Sequence, residues 1–278
     1  QAEDGIRDYK VTGVQTCALP IYPCGRDSVR FFTVLGFALL LVACAGNEPS
    51  PPLPTAEASE IVQRQLDLGI GYMRNGDYQR AKEKLNRALE IEPKNASVHA
   101  TLGLLFQLEG ENKLAETYFS SAVRFDPDSA RVRNLYGAFL FAEKRYFEAI
   151  EQLQKASENR FYPNRPSVFE NLGVAYSRVN DSASAEAAFT RAVQLNPEQS
   201  RALLELAALR YDQRNYAESR EYYRRHVAIA PKSPRALLLC TKLARIFREP
   251  DEEASCAEVL EGIYPSSPEY REYLGGLR

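Results

Sequence analysis

Tryptophan is missing from the chain, methionine occurs once (Met73) and histidine only twice (His99 and His226). Two histidines so far apart rule out a His-Glu-x-x-His zinc helix. No Gly-x-Ser-x-Gly elbow occurs. Gly69-x-Gly71 lacks a third glycine and a preceding strand, so it is no dinucleotide loop. No pairing of a base with a nucleophile can be named, so catalysis, a metal, a cofactor and a small-molecule substrate are not expected. Charge of one sign is also lacking. The formal net charge is −2. The four basic and four acidic residues of segment 1–43 cancel, so the remainder carries the same −2. Such balance offers no electrostatic footprint for nucleic acid. Alternating β-branched segments with hairpin turns are absent, which argues against a sheet. Ala, Leu, Glu and Arg, all good helix formers, are abundant, and an all-α chain is the expectation.

Long apolar runs are lacking too, with one exception. Phe31 to Ala43 is apolar for 13 residues, short of the roughly 20 that a spanning helix needs. Arg26 and Arg30 precede it, and a small residue, Ala43, closes it, the layout of a secretory signal. Leu41-Val42-Ala43-Cys44 resembles the bacterial lipobox. The resemblance implies that Cys44 becomes the first mature residue and carries a diacylglyceryl thioether and an N-acyl chain such as palmitate. Two or more chains give stable anchoring where one is marginal. The following residue is Ala45, not Asp, which by the same resemblance favours export to the outer membrane. An ordinary signal that happens to hold a cysteine is the alternative.

Upstream, Gln1 to Asp8 and Val11 to Ile21 resemble translated short-read sequencing adapter, with Tyr9-Lys10 as the index between. Residues 1–21 are accordingly expected to be a library artefact outside the fold, and Cys17 to be without biological meaning. The signal region is 22–43; a GTG start at Val29 would give the compact signal VRFFTVLGFALLLVAC. Residues 44–60 hold Pro49, Pro51, Pro52 and Pro54 and are expected to form an extended tether.

Residues 61–278 repeat. Pro93, Pro127, Pro197, Pro231 and Pro265 are spaced by 34, 70, 34 and 34 residues, the 70 being two units plus two residues. Leu68-Gly69, Leu102-Gly103, Tyr136-Gly137 and Leu172-Gly173 are each followed at fixed offsets by Ala81, Ala115, Ala149 and Ala185. This resembles the tetratricopeptide repeat of 34 residues. It implies an α-solenoid of about six helix-turn-helix units forming a right-handed superhelix: 62–95, 96–129, 130–165, 166–199, 200–233 and 234–267. Glycine at the eighth position and alanine at the twentieth let paired helices approach. The proline at position 32 stops the second helix. The two surplus residues fall at Asn159–Arg165, a longer inter-repeat loop. The last two units are degenerate, as terminal repeats often are.

Cys240 and Cys256 fall on the two helices of the sixth unit, at positions that lie roughly opposite. Two readings stand. An oxidising compartment favours a disulfide between them; otherwise they are two small buried hydrophobes.

Solenoids present a concave face lined by the first helix of each unit. Its candidate groove residues are Leu66, Ile70, Met73, Leu104, Gln107, Phe141, Val174 and Tyr211. They suit an apolar peptide or helix better than a charged tail, or else simply pack between repeats.

Lipobox, tether and six repeats together resemble the type IV pilus biogenesis lipoproteins, the pilotins of the pilus secretin. Tyr162-Pro163, Val168-Phe169-Glu170-Asn171-Leu172-Gly173, Ala236-Leu237-Leu238-Leu239 and Tyr264-Pro265-Ser266-Ser267-Pro268-Glu269-Tyr270 carry the more specific likeness. The resemblance implies lipid anchoring at the periplasmic face of the bacterial outer membrane. It also implies protein–protein binding of secretin subunits and promotion of their localisation and multimerisation there. The alternative is a periplasmic scaffold lipoprotein for envelope proteins such as peptidoglycan hydrolases.

Overall fold

The structure, a computed structural model, describes residues 55–276. The adapter-like segment, the signal region, Cys44 and the four tether prolines lie outside the described residues. Thirteen helices and no strand occur among the described residues. Six antiparallel hairpins follow one another: α1 (Thr55–Arg74) with α2 (Tyr78–Ile91), α3 (Ala96–Leu108) with α4 (Asn112–Phe125), and α5 (Ala130–Ala142) with α6 (Tyr146–Glu158). Next come α7 (Arg165–Arg178) with α8 (Ser182–Leu195), α9 (Ser200–Asp212) with α10 (Tyr216–Ile229), and α11 (Pro234–Phe247) with α12 (Pro250–Ile263). A short helix, α13 (Pro268–Gly275), packs on α11 and α12. The TPR-type solenoid is thus the fold.

One boundary is corrected. The tether does not reach residue 60, because α1 begins at Thr55. Pro54 is the last proline, and a helix can start directly after one. Thr55 to Glu60 then add more than a turn to the first helix.

Each hairpin closes on its repeat glycine. A Cβ built on Gly69 would lie 2.8 Å from Leu85 Cγ, on Gly137 2.7 Å from Leu153 Cγ, and on Gly173 2.5 Å from Phe189 Cε1. The glycines therefore set the helix spacing, and Leu85, Phe119, Leu153 and Phe189, all fully buried, fill the room it leaves. Side-chain caps begin many of the helices. Asp77, Asn95, Ser129, Asp181, Asn215, Ser233 and Ser267 each accept from the backbone N–H three residues on.

The turn inside every hairpin carries one left-handed residue at the same place in the repeat: Gly76, Gly110, Lys144, Asn180, Arg214 and Arg248, with φ between 58° and 81°. Glycine adopts this conformation freely, whereas a residue with a Cβ is strained by about 1–2 kcal/mol. Lys144→Gly is therefore expected to stabilise by about 0.5–1 kcal/mol once the extra entropy of glycine in the unfolded chain is deducted. A rise in the urea midpoint at unchanged slope is the expected reading; an unchanged or lower midpoint refutes it.

Successive first helices touch one another (α1 with α3, α3 with α5, α5 with α7, α7 with α9, α9 with α11), while successive second helices do not. The stack accordingly bends toward the first-helix side, which becomes the concave face. Ion pairs link neighbours at a recurring place on the second helix. They are Lys82–Glu109 (3.0 Å), Glu116–Arg145 (2.5 Å), Glu186–Arg210 (2.6 Å) and Arg220–Glu249 (2.6 Å). Each such surface pair contributes little. The third hairpin has buried Ile150 at that place instead.

Cys240 and Cys256 form a disulfide joining α11 to α12, with their Cα atoms 6.3 Å apart. Both sit in a core cluster with Leu204, Tyr223, Leu243 and Leu260. Lys242 pairs with Glu272 of α13 at 2.6 Å, and the Arg245 guanidinium lies 5.7 Å from the Tyr273 ring. These contacts finish the C-terminal end of the stack.

Candidate binding face

The concave face divides into an apolar and a polar stretch. The apolar stretch is a cleft of about 560 Å³ running across the first three hairpins. Ile70, Met73 and Arg74 come from α1, Thr101, Leu104 and Leu108 from α3, and Arg131, Asn134 and Leu135 from α5. The far wall is the loop before α7, through Tyr162, Pro163 and Asn164.

Three of the eight sequence-predicted groove residues, Ile70, Met73 and Leu104, meet in this cleft. Leu66 does not. It is 2% exposed and packs with Leu85, Val98 and Leu102, so for Leu66 the inter-repeat packing reading holds. Ile70, four residues along, is turned about 40° from Leu66, whereas Met73, seven along, is within about 20° of it, so position along α1 as well as rotation separates Leu66 from the cleft. Gln107 is half-buried and does not line this cleft. Phe141 packs against three successive core clusters and lies 5.2 Å from the Tyr146 ring. Val174 is mostly buried against Phe189 and Leu206. Tyr211 lies 5.3 Å from Tyr216, with Lys242 Nζ 5.8 Å above its ring. Val174 and Tyr211 line hollows of the later part of the face, whereas Phe141, on α5, lines neither of them.

That later part is polar. Arg178, Arg201, Glu205, Asp212 and Arg235 line one hollow, and Asp212, Arg235, Lys242, Glu269 and Glu272 line the next. Here the charges are largely matched, with Arg235 on Glu205 and Lys242 on Glu272 at 2.6 Å each. Glu170, on the same face, accepts from the Ala202 N–H at 3.3 Å and from Gln199 Nε2 at 3.4 Å. Burial pushes its carboxyl above the ordinary range, and the positive charge of Arg201 works the other way. Its role is to fasten the start of α9 to α7.

A second cleft, of about 600 Å³, lies on the outer side of α1 among Arg64, Leu68, Gly71 and Tyr72. Leu68 is 43% exposed there, although its counterparts Leu102, Leu172 and Leu206 are buried. Among the described residues no hairpin precedes α1 to cover it.

The histidines serve packing. His99 lies 4.9 Å from Phe125 and bonds Pro93 O at 2.9 Å; buried His226 reaches Ser200 O at 2.9 Å. Among the described residues no three His, Cys, Asp or Glu side chains group as metal ligands would, and no helix is long and apolar enough to cross a membrane.

A stack of helical hairpins with a lined inner face defines a tetratricopeptide-repeat protein, and tetratricopeptide-repeat family models match residues 72–139, 128–198 and 171–234. The chain is 38% identical to the type IV pilus assembly protein PilF of Pseudomonas aeruginosa over 247 residues, which cover 88% of this chain and 98% of PilF. It belongs to the PilF family of tetratricopeptide-repeat proteins. A solved structure of P. aeruginosa PilF superposes with a TM-score of 0.77 at 39% identity, covering 79% of this chain and 99% of PilF. The crystal structure of PilW, a widely conserved type IV pilus biogenesis factor, gives 0.66 at 25% identity, covering 77% and 99%.

Proposed function

We propose that the protein is a type IV pilus biogenesis factor that acts by binding rather than by catalysis, holding secretin subunits at the outer membrane and promoting their multimerisation. The observation that carries this reading is the similarity to PilF over 98% of PilF's length. The apolar cleft of the first three hairpins supports it as the place where a partner segment docks. Cys44, outside the described residues, is the proposed lipid attachment point. It would hold the solenoid at the periplasmic face of the membrane, with secretin capture as a binding equilibrium and no covalent step.

The test is to delete the gene in its host and blot the outer membrane for heat-resistant secretin multimers. The expected result is their loss, or their displacement to the inner membrane, with restoration by wild type but not by Cys44→Ala. Multimers unchanged in amount and place overturn the proposal.

A further inference from the structure

The six hairpins follow a 34-residue step except at one place. The surplus lies in the loop 159–164, between α6 and α7, and this loop is built rather than slack. Asn159 Oδ1 accepts from the Phe161 N–H at 3.0 Å, Asn159 O accepts from the Tyr162 N–H at 3.3 Å, and Tyr162 O accepts from the Arg165 N–H at 3.1 Å. Arg165 Nε donates to Ser157 O at 2.7 Å, drawing the two ends of the loop together. Tyr162 packs on the core beside Leu153 and Val168. The result holds Phe161 95% exposed, immediately before the three loop residues that wall the apolar cleft. A lone exposed aromatic needs no explanation. This one is next in sequence to Tyr162 and Pro163, which line the cleft with Ile70, Leu104 and Leu135, whereas Phe147, 77% exposed on α6, has no cleft-lining neighbour in sequence.

Charge narrows what fits. Arg74 and Arg131 line the cleft, exposed Arg160 stands next to Phe161, and no carboxylate lines it. Among the described residues none of these three arginines is in an ion pair, whereas Arg235 and Lys242 of the later hollows each hold a glutamate. The cleft is apolar with an uncompensated cationic rim.

We infer that loop 159–164 is the third wall of the docking cleft, that its occupant is an apolar partner segment carrying carboxylates, and that Phe161 is a direct contact to that segment. The inference rests on the proposed function for the partner's identity but not for its chemistry. Aromatic anchors at the centre of a contact surface dominate its affinity, and arginines facing carboxylates steer the encounter.

The experiment places the photo-crosslinker p-benzoylphenylalanine at position 161 of the full chain in pilus-bearing cells, and in parallel at Leu108 and at Phe147. Crosslinked peptides are then identified by mass spectrometry. The expected result is a crosslink from 161 and from 108 to one apolar, carboxylate-bearing segment, and none to it from 147. Phe161→Ala should lower the crosslink yield from 108 about tenfold, with its melting temperature unchanged because the side chain is solvent-exposed. If that segment belongs to the secretin, the proposed function stands as well; if it belongs to another protein, the proposed partner fails while the cleft assignment survives. No crosslink from 161, a basic or wholly polar peptide, or an undiminished yield from 108 in Phe161→Ala overturns the inference.

Discussion

Gly173→Ala is expected to cost about 1–3 kcal/mol, the range for forcing extra volume into a packed core. The added methyl would lie 2.5 Å from Phe189 Cε1 and 2.6 Å from Cδ1. The ring cannot swing aside, because Phe189 is fully buried among Ala185, Ala192, Leu203 and Leu206. Either α7 and α8 separate or the ring displaces the following hairpin. The same substitution in the last turn of α1 has the opposite sign. At Gly71 a Cβ meets nothing within 4 Å, so Gly71→Ala gains the helix preference of alanine, about 0.5–1 kcal/mol. Urea midpoints of the two variants should therefore move in opposite directions. A Gly173→Ala midpoint at or above wild type would show that the glycine does not set the spacing.

Removing the disulfide should cost about 3 kcal/mol, by the chain-entropy estimate for a loop this long, since the bridged residues are 16 apart in sequence. The loss should be local. α12 buries only Cys256 and Leu260, so the bridge supplies much of what holds it to α11. α13 packs on both helices and loses its platform with them. In the variant Cys240→Ala with Cys256→Ala, or after reduction, amides of α12 and α13 should exchange faster while those of α3 to α8 keep their protection. Uniform loss of protection along the chain, or none, contradicts this account.

The repeat was legible because its signals are residue types with a steric meaning: glycine where helices touch, alanine opposite, proline where a helix ends. The left-handed turn was not, because Lys144, Arg214 and Arg248 are not residues that announce it; only Gly76, Gly110 and Asn180 are. The early start of α1 was hidden by the density of prolines up to Pro54, although Thr55-Ala-Glu-Ala-Ser-Glu contains nothing that opposes a helix. At the candidate site, helix periodicity placed Ile70, Met73 and Leu104 on the right side. It could not separate them from Leu66, one turn away and turned inward. Tyr162 and Pro163 stood out as part of a family likeness and of a loop's residue surplus, and neither signal placed them at the cleft. That the loop reaches back to α1 and α3 depends on the curvature of the stack, which no local pattern encodes.

A solenoid's period is also its phase. Equal 34-residue steps turn each hairpin by the same small increment from the last, so one longer step works like a dislocation in an otherwise regular lattice. The loop after α6 is that dislocation. It divides the six hairpins into two triplets, and the apolar cleft lies wholly in the first triplet and on the dislocation itself. A hairpin gained or lost among α7 to α12 would change the length of the rod while leaving the cleft's geometry alone. The same change among α1 to α6 would erase it. The two halves are thus unequally free to vary in evolution, the second as an adjustable spacer and the first as a fixed cassette.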